Sequence, residues 1–546
     1  MFLNLFFLFI MSLFHFTISS VSFWGVFIDA IVVLFYFMMI IGIGLYAGRK
    51  NRTLEEFALG GKSIPWWAVL ASIVAAETSA ATFLGTPAEG YKTHAFFYAQ
   101  LAIGTVLARI IIAYTFIAPY YQYKVKSIYE FLTVRFGAAT KNTASAIFLF
   151  TRILGIGVRL YLGGLIIVVL WHYFYPGVPT TLSHYFWGIF IITLITTLYT
   201  MVGGIKAVVW TDLIQASLMI GSIVISIWLL LGRIGGLSSV QEVFGSWENL
   251  KWIQSDWDST LPFGSALAKM LAEPYTLWAA FIGSTFLTMA THGTDQDMVQ
   301  RLLTAKNVHK SRLSLILSGF ADIPLALAFL SIGILLFVYY SRVGTPAIPD
   351  NEIFAHFIIH SMPVGLRGLI IAGVLATMMG STSAALNALA TSFTTDFYIP
   401  YFNPSADDRA SIRAARIATF IFGILMIGVG TMAAYSVLLN PKLTIIPIAI
   451  GILGYTYGGL LGIFLVGMLT KTRGNDTMNV VAMFLGMTSV LFLGKINLPG
   501  VINFGYFMPI WWPEIAWPWY VFIGSMVTII CSLPFTTRSM RRDIVH

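Results

Sequence analysis

Apolar residues run in blocks along nearly the whole chain, and each block has the length of a membrane helix. About 20 mostly apolar residues span the hydrocarbon core of a bilayer. By that rule the sequence predicts helices near 24–48, 65–90, 95–120, 142–172, 183–202, 204–232, 272–298, 311–340, 363–390, 410–435, 442–470, 478–497 and 518–535, about thirteen in all. Short polar turns separate them, except for one longer polar stretch at 233–271. Two of the blocks are interrupted. The block at 65–90 stays apolar from Trp66 to Ala76, meets Glu77-Thr78-Ser79, and then carries Gly85, Pro87 and Gly90. The block at 272–298 holds TMATHGTDQD at 288–297.

A carboxylate at the centre of a membrane helix costs about 2.5–3.5 kcal/mol or more, so it faces a cavity, a partner or an ion. A helix that unwinds there frees backbone carbonyls, which can hold a cation at the bilayer midplane. A tightly packed polar seam between helices is the other reading of the same residues.

Composition fixes the class. With 58% hydrophobic and 10% charged residues and a mean hydropathy of +0.83, the chain is an all-α polytopic membrane protein; soluble domains carry about 25% charged residues. The net charge of +9 changes nothing once its distribution is seen. With the N-terminus outside, twenty-one of the 32 Lys and Arg fall in cytoplasmic segments (49–62, 124–141, 206, 301–312, 409–416, 471–473 and 538–542), against eight outside. That is a topology signal, and nucleic acid is not needed to explain it. The predicted location is the plasma (inner) membrane, with a cytoplasmic C-terminus. A lone cysteine, Cys531, excludes an internal disulfide and any cysteine-based metal cluster. Residues 1–22 form an apolar leader without a basic start; Ser19, Ser20 and Ser22 suit a cleavage site, and an ordered extra helix is the alternative.

The ten spans from 65 to 470 divide into two groups of five, 65–232 and 272–470, around the outside loop 233–271. Because five is odd, the second group enters the membrane from the opposite side. A leading helix (23–48) precedes them, and two trailing helices with a short tail (478–546) follow. The first helix of each group is the interrupted one, and paired interruptions in inverted halves point to a transporter's binding site.

Six motifs in this order resemble the sodium:solute symporter family: GGKSIPWW (60–67), ETSA (77–80), YTMVGGIKAVVWTDLIQ (199–215), DQDMVQR (295–301), STSAALNALATSFTTDFY (381–398) and YTYGGLLGIFLVG (455–467). The resemblance covers most of the chain and implies a LeuT-like five-plus-five inverted repeat. It also implies a sodium site between the first and eighth core helices, with carbonyls of Ala75, Thr78 and Thr377 and the hydroxyl positions Gly380 and Ser381. Gly380 lacks the usual hydroxyl, so that cage is one ligand short or takes a water. Neutral oxygen donors suit a hard cation such as sodium. Close helix packing is the competing reading of the small residues at 377–385. In relatives with a second sodium, the aspartate matching Asp212 joins hydroxyls of the eighth helix. Here only Ser383 keeps one, so a single sodium per cycle is expected, with Asp212 on the exit path or paired to Lys206.

For the solute, the resemblance implies contacts from Glu77, Thr82, Gln100, Leu101, Thr288, Thr291 and His292. The last three replace an amide and two aromatics of the sugar carrier, so galactose is not implied. Arg159, mid-span in the third core helix, either grips a substrate carboxylate or pairs with Glu77 or another acid inside the bundle. Asp396 reads as a cytoplasmic helix-end charge, and His356 with His360 as one face of a surface helix. No HExxH, Walker or GxSxG motif is present, so nothing supports an enzyme or an ATP-driven pump. The expected function is sodium-coupled import of a small polar organic solute (sugar, sugar acid or other carboxylate), with sodium, solute and lipid as partners and no obligate protein partner. A proton-coupled carrier of the same fold and a non-transporting membrane sensor are the rivals.

Overall fold

The computed structural model describes residues 23–50, 52–174, 179–439, 445–498 and 502–536; the expected leader at 1–22 lies outside them. In chain order the main helices are α1 (Phe23–Ala47), α2 (Trp66–Glu77), α3 (Ala80–Thr93), α4 (Leu101–Thr115), α5 (Ala138–Phe174), α6 (Leu182–Ile234), α7 (Thr285–Gly293), α8 (Gln296–Leu303), α9 (Val308–Val343), α10 (Leu366–Phe393), α11 (Asp408–Leu439), α12 (Ile445–Leu469), α13 (Asp476–Leu493) and α14 (Trp519–Ser532). The described chain is almost wholly helical, with one pair of two-residue strands at Asn497–Leu498 and Ile502–Asn503. Nine of these helices are long and apolar enough to cross a membrane, or ten if the bent pair α2 and α3 is one span.

Which helices face lipid and which fill the centre follows from their side chains. In α1 only 22% of the most apolar window is buried, and Trp24, Phe35, Met38 and Tyr46 point outward. In α10 the buried share is 94%. Its run of Gly, Ala, Ser and Thr lets neighbouring backbones come close, and close approach is what stabilises helix pairs in a bilayer. α10 is therefore the central pillar, packed against α6, α1, α2 and α5.

α6 covers both predicted spans, 183–202 and 204–232, over 53 residues. Straight, it would measure about 80 Å, against about 30 Å of hydrocarbon. Gly204 divides it, with φ 56° and ψ −155°, a conformation open in practice to glycine alone. The predicted span 272–298 is also subdivided: a π-turn at Ala279–Ser284 leads into α7, and α8 follows a second break.

The two interrupted helices run in opposite directions. The Ile64 amide donates to Thr304 O at 3.3 Å, so the start of α2 lies beside the end of α8. Glu77 at the end of α2 bonds His292 at the end of α7, so the breaks themselves meet.

Some charges predicted for loops are interior. Arg301 is fully buried, and Arg367 donates through Nε to Asp29 Oδ2 at 2.6 Å. Arg301 is among the charges expected inside and Arg367 among those expected outside; Arg135 and Lys141, also expected inside, are buried as well. Asp396 corrects the helix-end reading. It is fully buried in the π-turn Thr394–Phe402, where the hydroxyls of Ser127 and Ser145 each donate to it at 2.7 Å.

The conformation at Gly204 makes a prediction. A Cβ there would lie 2.6 Å from Phe57 O, on top of a backbone cost of about 1–3 kcal/mol. Gly204→Ala should lower the thermal unfolding midpoint of detergent-purified protein by several degrees; a midpoint within one degree of the parent contradicts this account of the turn.

Candidate functional site

The first break is built from backbone. The Thr78 amide closes the last turn of α2 on Val74 O at 3.3 Å. Thr78 (φ −80°, ψ 104°) and Ser79 (φ −94°, ψ 169°) are then extended, and α3 restarts with the Phe83 amide on Ser79 O at 2.9 Å. The pair bends by 62°. Carbonyls at the end of α2 so lose the amides that a continuing helix would supply. The second break lies at Thr294-Asp295, where the Asp295 side chain caps α8 by accepting from the Asp297 amide at 2.8 Å.

Beside the first break is a cavity of about 170 Å³ lined by Glu77, Thr78, Thr82, Thr86, Tyr98, Leu101, Ala102, Thr105, Asp322, Leu325, Ala326 and Phe329. Glu77, Thr82 and Leu101 were expected there. Asp322 and Arg109 were not. The Arg109 guanidinium donates to Glu77, to Asp322 Oδ2 at 2.9 Å and to Ser318 Oγ at 2.8 Å. It is 1% exposed, whereas the Glu77 and Asp322 side chains keep 16% and 23%. The acids thus face the cavity and the cation sits behind them. His292 Nε2 also bonds Glu77, while its Nδ1 lies 2.9 Å from Thr291 Oγ1. Thr288 Oγ1 meets Thr105 Oγ1 at 3.3 Å, one layer behind the wall.

Two expectations change here. Gln100 is buried, with its amide committed to structure: Nε2 donates to Tyr275 O at 2.8 Å and Oε1 accepts from the Gln254 amide at 3.2 Å. Arg159 does not pair with Glu77, because Arg109 and His292 already occupy that carboxylate. Arg159 is absent from the cavity lining, and no ion pair joins it among the described residues.

On the other side of the break, α2 faces α10 and α6. A Cβ built on Gly380 would lie 3.5 Å from Ala75 O, 3.5 Å from Asp212 Oδ1 and 2.8 Å from Gln215 Oε1. Ala75, Gly380 and Asp212, predicted for two separate tasks, therefore converge on one spot. Thr377, Ser381 and Ser383 are buried close by on the same helix, and their hydroxyls donate to carbonyls of α10 itself, 2.8–3.2 Å away. The Thr78 hydroxyl likewise rests on Val74 O at 3.1 Å. Serine and threonine hydroxyls in helices adopt such back-bonds when nothing better is offered, and can rotate away.

Asp212 does not pair with Lys206, six residues earlier and on a different face of the helix. Its Oδ2 accepts from Ser72 Oγ at 2.5 Å and from Arg301 Nη2 at 3.3 Å. Arg301 also binds Ser72 through Nε at 2.8 Å and holds Asp297. Arg152 continues the chain, reaching Asp295 Oδ2 at 2.8 Å and Asp297 Oδ2 at 2.9 Å, and Tyr457 closes it on Asp295. This hydrogen-bonded network joins α6, α2, α8, α5 and α12 with three carboxylates and two guanidiniums. The sequence carried a signal for it, since Arg152 falls within a predicted span, where an unpaired charge is expensive; Arg109 gave the same signal for the cavity cluster.

Comparison with known proteins follows the same lines. A profile described as the sodium:solute symporter family matches residues 57–472. The sodium/sialic acid symporter SiaT of Proteus mirabilis (strain HI4320) is 27% identical over 85% of this chain and 89% of its own length. The sodium/sialic acid symporter NanT of Aliivibrio fischeri (strain ATCC 700601 / ES114) is 26% identical over 85% and 87%. A solved Na+-coupled sialic acid symporter in a substrate-bound outward-open state superposes with a TM-score of 0.75 at 25% identity, covering 92% of this chain and 96% of that one.

The Arg109 cluster is testable. Removing one partner of a buried ion pair costs about 3–5 kcal/mol, because the remaining charge is stranded. Arg109→Met should lower the unfolding midpoint strongly, and adding Asp322→Asn should recover part of the loss. A single variant as stable as the parent would show that the acids do not rely on this guanidinium.

Proposed function

From a chain that belongs to the sodium:solute symporter family, a multi-pass membrane protein that couples sodium to the movement of a small organic solute, we infer both where the ion sits and what kind of solute it drives. Sodium binds where α2 breaks against α10, held by carbonyls of Ala75, Thr78 and Thr377 and by the Ser381 hydroxyl, with Asp212 and Ser383 beside it. The carrying observation is that Ala75 O, at the end of the broken helix, points to the bare backbone of Gly380. The repeats run over 65–232 and 272–470, with the N-terminus outside, in keeping with the distribution of Lys and Arg.

The solute occupies the cavity beside Glu77. Its lining is rich in acceptors, with two carboxylates and the hydroxyls of Thr82, Thr86, Thr105 and Tyr98 around the apolar Leu325 and Phe329. Such a wall favours a small molecule presenting hydroxyl or amino donors around an apolar face. A second reading, a sugar acid, is favoured by the sialic acid carriers among the relatives.

Sodium at the break fixes the end of α2 and with it Glu77, two residues beyond Ala75. Each ligand therefore aids the other's binding, and to the same degree. One sodium crossing about 100 mV releases roughly 2.3 kcal/mol before its concentration gradient is added, enough for accumulation of tens-fold at about 1.4 kcal/mol per factor of ten.

A thermal-shift screen of purified protein against neutral sugars, amino sugars, sugar acids, amino acids and monocarboxylates, in sodium and then in potassium chloride, tests this reading. A donor-rich neutral or amine-bearing solute should give the largest sodium-dependent shift, and Ser381→Ala should weaken the response to sodium about tenfold. Stabilisation by sugar acids alone selects the second reading; a Ser381→Ala protein that responds like the parent refutes the assigned ion seat.

A further inference from the structure

Gly380 is the position where the eighth core helix lacks a hydroxyl, and the space that a side chain would fill is not vacant of chemistry. Three oxygens face it: Gln215 Oε1, Asp212 Oδ1 and Ala75 O, at 2.8, 3.5 and 3.5 Å from where a Cβ would stand. Asp212 is 0% exposed and Gln215 1%. Among the described residues, neither Asp212 Oδ1 nor Gln215 Oε1 has a hydrogen-bond partner. A buried acceptor left in that condition costs about 1–3 kcal/mol, and more when it is charged. Two of them aimed at one point, with a backbone carbonyl as the third, make an arrangement that only a donor or a cation can settle.

The surroundings favour a cation. The Gln215 amide is oriented by its other end: Nε2 donates to Tyr36 Oη at 3.3 Å, and the Tyr36 hydroxyl in turn donates to Met379 Sδ at 3.6 Å. That leaves Oε1 on the Gly380 side. The network behind Asp212 holds three carboxylates against two guanidiniums, and Arg301 and Ser72 approach Asp212 through Oδ2 alone. Oδ1 is thus the carboxylate oxygen left on the Gly380 side. A carboxylate, an amide oxygen and a backbone carbonyl are the hard donors that suit an alkali cation.

We propose that Gln215 is a ligand of the coupling cation, its side-chain oxygen standing in at Gly380 for the hydroxyl that this chain's α10 lacks. The seat rests on the sodium reading given above and moves it toward α6: one ion is shared by Ala75, Asp212 and Gln215, and Asp212 becomes a ligand of that ion instead of a stop on its way out. It also gives Gly380 a function, because any side chain there would press on Gln215 Oε1 and fill the space the ion uses.

The test is the sodium concentration that gives half of the maximal thermal shift in purified full-length protein, titrated with sodium chloride against potassium chloride at constant ionic strength. Gln215→Met keeps the volume and removes the oxygen, and should raise the half-saturating concentration at least tenfold. Gly380→Ser alone should also raise it, through crowding. Gln215→Ala with Gly380→Ser exchanges an amide oxygen for a hydroxyl and should return to within about threefold of the parent. The proposal is overturned if Gln215→Met stays within twofold of the parent, or if the double variant is no better than Gln215→Ala. A parent with no sodium-dependent shift overturns the sodium reading and this seat together; a responsive parent with an equally responsive Gln215→Met overturns the seat alone. Should the variants not purify, a density map of the parent in sodium chloride decides: a cation peak touching Gln215 Oε1 supports the seat, and an amide turned so that Nε2 bonds Asp212 Oδ1 overturns it.

Discussion

Backbone that leaves its helix inside a bilayer has no water to turn to, and this constraint shapes the protein's interior. Where α2 stops at Thr78 and α7 at Thr294, carbonyls and amides lose their helical partners, and in hydrocarbon each such loss costs several kcal/mol. The fold answers by setting the two breaks against each other in the middle of the bundle and surrounding them with side chains that can take their place. Asp295 caps α8, while the hydroxyls of α10 lie opposite the end of α2. Even the small residues of α10 follow from this. A pillar of leucines would hold α2 and α6 too far away for their oxygens to meet.

The charges obey the same economy on each side of the break. Toward the cavity, Glu77 and Asp322 share Arg109; on the far side, Asp212, Asp295 and Asp297 share Arg152 and Arg301. In both clusters the guanidinium serves two acids, as its forked donors allow. In both, one carboxylate oxygen or edge is left facing open space, toward the cavity in the first and toward Gly380 in the second. Buried ion pairs are weak contributors to net stability, so these clusters are better understood as devices that hold acceptors at fixed points in a medium that would otherwise expel them.

Much of this was legible in the sequence, for reasons that differ from residue to residue. The helical class followed from block length, because the bilayer sets one thickness for every span; of about thirteen expected spans, nine or ten have that length among the described residues. Both breaks were visible because Glu77 and the run at 288–297 interrupt otherwise apolar segments. The partners of those residues were not visible. Nothing in local spacing says that Glu77 meets Arg109 rather than Arg159, since both lie mid-span and the choice depends on the rotation of α4 and α5 about their axes. Asp212 looked close to Lys206 because the two are near in the chain, yet six residues carry a helix through a turn and two thirds, to another face. Gln100 carried the right polarity for a pocket wall, but its amide ties the loop at 254 to the start of the second broken block. Gln215 ends one of the six motifs, but nothing there singles out its side chain, since its closeness to Gly380 depends on a helix 165 residues further along.

The breaks also explain why ion and solute must act together. Ser72 and Glu77 stand five residues apart on α2. Ser72 accepts from Arg301 of α8 and donates to Asp212 of α6, and Glu77 joins His292 of α7 and Arg109 of α4. α2 is thereby stapled to both sides of the second break, so the two interrupted helices form one mechanical unit. The place where that unit meets α10 is the line through Ala75 and Gly380. A cation in the seat proposed above would join the stapled pair to the pillar, and its departure would free them to shift. Because Glu77 is carried on the same short helix as Ala75, any such shift alters the cavity wall as well. Ala75 and Glu77 lie on one helix, so a shift at the proposed seat would reach the cavity wall through α2 itself.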